Sequence, residues 1–307
     1  MNLYFAPLEG ITTYTYRNIH SQIFGGCDAY FSPFICPSPN EKVSRKMLKD
    51  ILPENNGVEN LVVQILCNNP DAFKLFADKV SDLGYDEINL NLGCPSGTVT
   101  GKGRGAGFLK YPEELDRFLD AIFSQNRINI SVKTRLGFSD EDEFGKLLDI
   151  YNRYPIKELT IHPRVRMDFY KGYPRYNAFS YACQNSKNPL CYNGNVFDLA
   201  DFNKIENTYP KISSVMLGRG AVANPALFRE IKGGNKLTTA EALRFTLSLK
   251  DSYYELFGND TYTIHKLKEI WLYMMWNYPE EKKILKCIKK AQKLADFMSA
   301  VESLPEI

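Results

Sequence analysis

Histidine and tryptophan are scarce: the 307 residues contain 3 His and 2 Trp, and the 7 cysteines include no CxxC pair. Without closely spaced imidazoles and thiols there is no zinc-ligand spacing, so no metal site is expected. An odd, scattered set of cysteines excludes a disulfide scaffold and suits a reducing compartment. A surplus of one charge is also missing. Lys+Arg number 38 and Asp+Glu 36, a net +2, so a polyanionic partner would have to be met by local patches. Apolar runs are short, and Ile270–Trp276 falls far below the ~20 residues needed to cross a bilayer. The start, Met1-Asn2-Leu3-Tyr4-Phe5, has neither the basic region nor the apolar stretch of a signal peptide. Internal repeats, low-complexity tracts and a GxxxxGK[ST] loop are absent. These absences lead to the expectation of a cytoplasmic protein with no membrane association.

What the chain does contain is alternation. Apolar residues make up 44% of it, enough for a full core. Eight β-rich runs stand out: 3–6, 29–32, 61–66, 87–91, 128–133, 158–161, 190–192 and 214–217. Helical periodicity fills the intervals, with Phe73, Phe76, Ala77 and Val80 on one stripe after the start signal Asn69-Pro70. Pro112 opens a second stripe of Leu115, Phe118, Leu119 and Ile122, and Phe144, Leu147, Leu148 and Tyr151 mark a third. Eight strands alternating with helices predict a (β/α)8 TIM barrel over residues 1–235, with a doubly wound open sheet as the alternative. The stretch Phe34–Asn60, with Pro37, Pro39, Pro53 and Asn55-Asn56-Gly57, reads as a long excursion after the second strand. After Asn235 no β-rich run follows. Thr238-Thr239-Ala240-Glu241 offers a capping box, and helical stretches over 264–277 and 280–300 predict a small all-helical domain, residues 236–307.

In such a barrel catalytic groups stand at the C-terminal ends of the strands. Those ends are unusually polar: Pro7-Leu8-Glu9, Gln64, Asn89 and Asn91 before Gly93-Cys94-Pro95, Lys133-Thr134-Arg135, His162-Pro163-Arg164, Asn193-Gly194-Asn195 and Gly218-Arg219-Gly220. The last two loops, with glycines and Arg219, suit a phosphate group. Lys133 fits either a Schiff-base lysine or a cation beside a flavin ring. Cys94, in a loop over the rim, is a candidate general acid. The tract Gly101–Gly107 starts too far from its strand for a dinucleotide fingerprint and is expected to close over the barrel mouth. His20 and His265 fall in helical stretches and are expected to be structural. Lys282, Lys283, Lys286, Lys289, Lys290 and Lys293 lie in a helical stretch with no acid from 282 to 295. That stretch is either a solvated face or a phosphate-facing surface, to which Arg104, Arg164, Arg166, Lys171 and Arg175 would add charge around the barrel mouth.

The residues resemble the tRNA-dihydrouridine synthases. The resemblance rests on Ala6-Pro7-Leu8-Glu9-Gly10, Val63-Gln64-Ile65-Leu66, Asn89-Leu90-Asn91-Leu92-Gly93-Cys94-Pro95, Val132-Lys133-Thr134-Arg135, Thr160-Ile161-His162-Pro163-Arg164, Asn193-Gly194-Asn195 and Met216-Leu217-Gly218-Arg219-Gly220-Ala221. It implies an FMN-holding barrel, reduced by NAD(P)H, that converts uridines of tRNA to 5,6-dihydrouridine, with the helical domain helping to grip the tRNA. Carried over, Pro7, Leu8, Glu9 and Gln64 would line the FMN ring with Lys133 and His162 beside it. Asn193, Gly194, Asn195, Gly218 and Arg219 would hold its phosphate. Cys94 would give a proton to uracil C5 after hydride reaches C6, and Asn89, Asn91, Arg135, Arg164, Arg166, Lys286 and Lys290 would contact the substrate. A monomer is expected. The chain departs from the family at Leu8 (usually Met), Cys67 (usually Gly) and Asn195 (often Asp), and Pro163 replaces a common Gly and is expected to stiffen its loop. The rivals are a flavin barrel acting on a free pyrimidine or another small molecule, and a non-catalytic RNA-binding module.

Overall fold

A computed structural model describes residues 1–38, 43–125 and 127–307. Eight strands close into a parallel barrel in chain order: β1 (Asn2–Phe5), β2 (Ala29–Phe31), β3 (Leu61–Ile65), β4 (Glu87–Leu92), β5 (Asn129–Gly137), β6 (Leu159–Val165), β7 (Leu190–Tyr192) and β8 (Ser214–Leu217). β8 returns to β1 through the register Leu3↔Val215 and Phe5↔Leu217, which closes the sheet and excludes the open alternative.

The helices between strands form for the local reasons the sequence offers. Pro70–Asp82 begins with the Asn69 side chain accepting from the Ala72 N–H at 2.9 Å and buries Phe73, Phe76, Ala77 and Val80. Pro112–Gln125 and Glu143–Tyr151 bury the two other anticipated stripes. The excursion after β2 carries the short helix Arg45–Leu48, while Pro39 lies outside the described residues. Buried Arg17 ties this excursion down, donating to the Thr12 carbonyl and Asp50 carboxylate at 2.8 Å each and to Asn56 Oδ1 at 2.7 Å. His20, also buried, meets the Tyr30 hydroxyl and the Pro225 carbonyl and is structural.

The inside of the barrel has two unlike halves. Along β4, Glu87, Asn89 and Asn91 alternate with buried Ile88, Leu90 and Leu92. Because strand side chains alternate faces, the polar set shares one face and the apolar set packs against the outer helices. β5 repeats the pattern with Ser131, Lys133 and Arg135, and β6 with Thr160, His162 and Arg164. Across the barrel, Ala6, Ala29, Phe31, Cys191 and Met216 form a small interior apolar cluster, separate from the main core. β5 and β6 therefore run further than expected, to Gly137 and Val165, with Pro163 inside β6 rather than in a loop.

After Asn235 the chain is helical. Thr238 and Glu241 form the anticipated capping box, and Arg229 adds an ion pair to Glu241 at 2.7 Å. Thr239–Phe257 packs on the first barrel helix, where Phe245 meets Tyr16 and Phe24 edge-on at ring separations of 5.4 and 5.3 Å. Asp260–Met274 follows, and Asn277 donates to the Ala223 carbonyl at 2.7 Å just beyond β8. The expected single stretch over 280–300 is instead two helices, Lys282–Lys290 and Leu294–Glu302. The break is held from outside: Lys268 Nζ donates to the Lys289 and Ala291 carbonyls, satisfying the end of the first helix.

Candidate active site

A cavity of about 500 Å³ opens at the C-terminal ends of the strands. Its lining gathers Pro7, Leu8, Glu9, Gln64, Asn91, Cys94, Lys133, Arg135, His162, Asn193, Gly194, Gly218 and Arg219. A larger concavity, about 710 Å³, lies at the opposite end of the barrel around Asn2, Tyr4, Asp28, Glu87 and Lys157. It contains none of the residues proposed from the sequence for cofactor or catalysis.

Lys133 is the central cation. Burial and the neighbouring Arg135 pull its ammonium down from 10.5 to about 8. No carboxylate or hydrogen-bond acceptor holds its ammonium among the described residues. Arg135, lowered to about 10 mainly by burial, remains charged and donates to the Gly93, Val165 and Phe169 carbonyls at 2.8, 3.1 and 2.8 Å. Burial and the surrounding cations hold His162 well below its ordinary value, so the ring is neutral near pH 7. Arg164 Nη1 lies 2.8 Å from His162 Nε2. A guanidinium can only donate, so Nε2 accepts and Nδ1 carries the ring proton. The cavity is thus electropositive, with Glu9 its one acidic lining residue among those described.

Cys94 is half-buried, and desolvation raises its thiol above the ordinary value despite the nearby Arg135 and Lys133. A raised thiol keeps its proton at neutral pH, as a proton donor must. Its loop is held by Asn91, whose Oδ1 accepts from the Gly93 and Cys94 N–H groups at 3.0 and 2.9 Å. Gly105 closes against the same loop. With φ +55° and the Cys94 carbonyl 2.9 Å from where a Cβ would stand, only glycine fits there. The tract Gly101–Gly107 therefore does not close over the mouth: Gly105, Ala106 and Gly107 are buried and buttress Cys94 from behind. Cys67, unexplained from sequence, donates its thiol to the Asn69 carbonyl at 3.1 Å in the turn before the Pro70–Asp82 helix.

At the far side, β7 and β8 deliver Asn193, Gly194, Gly218 and Arg219. The two loops touch so closely that a Cβ on Gly220 would stand 2.0 Å from the Val196 carbonyl. Asn193 is spent on the Met216 carbonyl at 2.7 Å. Asn195 does not line the cavity; its Oδ1 accepts from Arg164 at 3.1 Å and from Arg219 at 3.2 Å, so it orients arginines rather than facing the cavity.

Several residues assigned to the substrate from sequence are placed elsewhere. Asn89 is fully buried beneath Gln64, because inward positions two residues short of the rim lie below the cavity floor. Arg164 is fully buried too, committed to His162, Asn195 and the Lys171 and Gly172 carbonyls. Arg166 stacks on Phe138 and Phe169 outside the cavity, and Arg175 is ion-paired with Asp168 and Glu141. Arg104 contacts Cys36 and Asn68. Lys286 and Lys290 are exposed on their helix and do not line the cavity. Sequence reasoning missed the aromatic rim: Tyr170, whose ring lies 4.9 Å from the Arg219 and 5.4 Å from the Arg135 guanidinium, with Phe197, Tyr273 and Trp276. Within the apolar run 270–276, Trp271 and Met274 are buried while Tyr273 and Trp276 reach the cavity.

Comparison with known proteins gives the family of the chain. The chain is 29% identical to the tRNA-dihydrouridine(16) synthase of Neisseria meningitidis over 315 aligned residues, 98% of this chain and 91% of that one. It is 27% identical to the probable tRNA-dihydrouridine synthase 2 of Bacillus subtilis (81% and 78% covered) and 28% identical to tRNA-dihydrouridine synthase B of Proteus vulgaris (78% and 72%). Among solved structures, a variant of morphinone reductase in complex with tetrahydroNAD shares the fold with a TM-score of 0.53 at 12% identity, covering 76% of this chain and 87% of that one. The family described as dihydrouridine synthase (Dus) matches residues 4–303. The chain belongs to the dihydrouridine synthase family and is an enzyme of it.

Proposed function

We propose that the protein reduces a uridine of tRNA to 5,6-dihydrouridine on a bound FMN, with NAD(P)H as the source of electrons and Cys94 as proton donor. The observation that carries this is the unpartnered Lys133 in an electropositive cavity that also holds Cys94 and Arg219. A buried cation with no partner calls for an anionic or electron-rich ligand. The donor set fits FMN. Pro7, Leu8, Glu9, Gln64, Lys133 and His162 would border the ring, and Gly194, Gly218 and Arg219 would take the phosphate, with Arg219 already aimed by Asn195.

Bound there, a reduced flavin supplies hydride to uracil C6. The chain's own work is to place and complete that transfer. Cys94 gives its proton to C5 and recovers one from solvent, so the base gains one hydride and one proton across its C5–C6 bond. Asn91 holds the Cys94 loop through two backbone N–H groups. Arg135 and Tyr170 stand at the rim, where a base must leave its stack to arrive. The unit 236–307 would grip the tRNA, with Lys286 and Lys290 facing phosphates. The relatives named for position 16 align over 98–99% of the chain and so include this helical part, which favours uridine 16 as the target.

The test is direct. Purified protein is scanned for flavin absorbance and then incubated with NADPH and unmodified tRNA, and the product is mapped by mass spectrometry. A yellow protein and a 2-Da gain at one uridine are expected. Reduction of free uracil without action on tRNA would favour the small-molecule rival, and a colourless, inactive protein the binding module.

A further inference from the structure

A single line of side-chain hydrogen bonds crosses the barrel interior from the Cys94 loop to the opposite end. Asn91 Oδ1 accepts the Gly93 and Cys94 N–H groups, and Asn91 Nδ2 donates to Gln64 Oε1 at 2.7 Å. Gln64 Nε2 donates to Asn89 Oδ1 at 2.8 Å, and Asn89 Nδ2 donates to Ser131 Oγ at 2.9 Å. Ser131 then donates to Glu87 Oε1 at 2.5 Å, and the other Glu87 oxygen takes the Lys157 ammonium at 2.6 Å. Every link from the Cys94 loop to Glu87 donates in the same direction, away from Cys94.

Direction matters because a primary amide has a donating and an accepting end, and turning one forces its neighbour to turn. Glu87 is the terminal group that only accepts. It obliges Ser131 to donate toward it, which leaves Ser131 to accept from Asn89, and so upward until Asn91 Oδ1 is turned to the two loop N–H groups. Reversed, Asn91 would present an NH2 to those N–H groups, donor against donor, and the loop would lose its anchor. Gln64, Asn89 and Ser131 are fully or almost fully buried, so no water competes for these bonds along most of the line.

We infer that Glu87, at the end of the barrel away from the cavity, is a positioning residue that fixes the polarity of this amide line and thereby the setting of Cys94. The catalytic consequence rests on the reading of Cys94 as the proton donor; the structural one does not.

The test is Glu87→Gln, alone and with Lys157→Ala. In Glu87→Gln the Lys157 ammonium claims the new carbonyl and leaves the NH2 toward Ser131, whose freed hydroxyl proton can then turn to Asn89, so the line loses the group that fixed its direction. Removing Lys157, a half-exposed side chain, frees that amide to turn its carbonyl inward and restores the original direction. Two readouts are taken on the cofactor-loaded full-length protein. One is the iodoacetamide labelling rate of Cys94 by peptide mass spectrometry, with exposed Cys36, Cys183 and Cys287 as references. The other is kcat and KM on tRNA. Glu87→Gln is expected to change Cys94 labelling at least threefold and lower kcat about tenfold with KM within threefold. The double variant should return both to within threefold of Lys157→Ala alone. Should Glu87→Gln not fold, Ser131→Ala, which cuts the line in the middle, must shift Cys94 labelling in its place. Unchanged labelling in a folded variant, or no recovery in a folded double variant, would overturn the inference. A labelling shift with recovery in a protein inactive on tRNA would uphold the line and instead refute the proposed function.

Discussion

Lys133→Met separates a ligand-binding cation from a structural one, because the two predict opposite signs of stability change. The fall of the Lys133 ammonium from 10.5 to about 8 corresponds to about 3 kcal/mol of cost to the cofactor-free fold near neutral pH, an upper limit since the side chain keeps some contact with solvent. Methionine fills a similar volume without the charge, so the cofactor-stripped variant should melt higher, by up to about 6 °C at a scale of about 2 °C per kcal/mol. FMN binding should move the other way. Loss of a charged hydrogen-bond donor costs about 1.5–3 kcal/mol, or about 10- to 100-fold in Kd.

The pH dependence carries the same sign test. The unfolded chain keeps Lys133 protonated up to about its ordinary 10.5, the folded chain only up to about 8. Between those values the unfolded state binds more protons, so this residue makes stability rise with pH across the window, and below it the folded state bears the whole cost. The raised thiol of Cys94 acts in the opposite sense, so the quantity to read is wild type minus variant. Differential scanning fluorimetry from pH 7 to 10.5 on stripped protein, with FMN titration by fluorescence quenching, provides both numbers. If methionine destabilises the stripped protein and leaves FMN affinity unchanged, Lys133 is a structural cation and the cofactor reading loses its main support.

Cys94→Ala should lower turnover on tRNA by about 10²–10⁴-fold while FMN stays bound, as stopped-flow and absorbance would show. Turnover should also fall as pH climbs through the raised thiol value, because an acid that has lost its proton cannot give it; a pH–rate profile reads this. Arg219→Leu should weaken FMN more than riboflavin, so that the ratio of the two affinities, measured by titration, collapses toward one. Lys286→Glu with Lys290→Glu should lower tRNA affinity and flatten its salt dependence in a binding assay from 50 to 200 mM salt, with the flavin spectrum unaltered.

Much of this is legible in the residues, and what is not has two causes. The eight strands and the stripes of Phe73–Val80 and Leu115–Ile122 follow from apolar period and turn chemistry. β5 and β6 were cut short at 133 and 161 because charged residues look like strand ends. Here they face a polar interior, so Arg135 and Arg164 continue the strands. The same oversight put Asn89 and Arg164 on the substrate, although period-two spacing from Asn91 and His162 already placed them on the interior face. The bend after Lys290 depends on Lys268 of another helix, and the rim role of Trp276 depends on how one helix docks on the loop after β8. Both are tertiary facts that local spacing does not contain.

The two-sided interior also explains where chemistry can reside in this fold. Packing Ala6, Phe31, Cys191 and Met216 on one side of the barrel needs no partners, whereas each inward group of β4, β5 and β6 must be satisfied or must await a ligand. Nearly all are satisfied: Glu87 by Lys157 and Ser131, Asn89 by Gln64 and Ser131, Arg135 by three carbonyls, Arg164 by His162 and Asn195. Among the described residues Lys133 stands out as the inward charge without a partner, and it lines the cavity between Asn91 of β4 and Thr160 of β6 in the strand register. An interior that answers its other polar demands internally has reserved this one for something that arrives. Asn195 sharpens the point. It neutralises neither Arg164 nor Arg219, where a carboxylate would balance one, so the β7–β8 side of the cavity retains a full positive charge for an incoming anion.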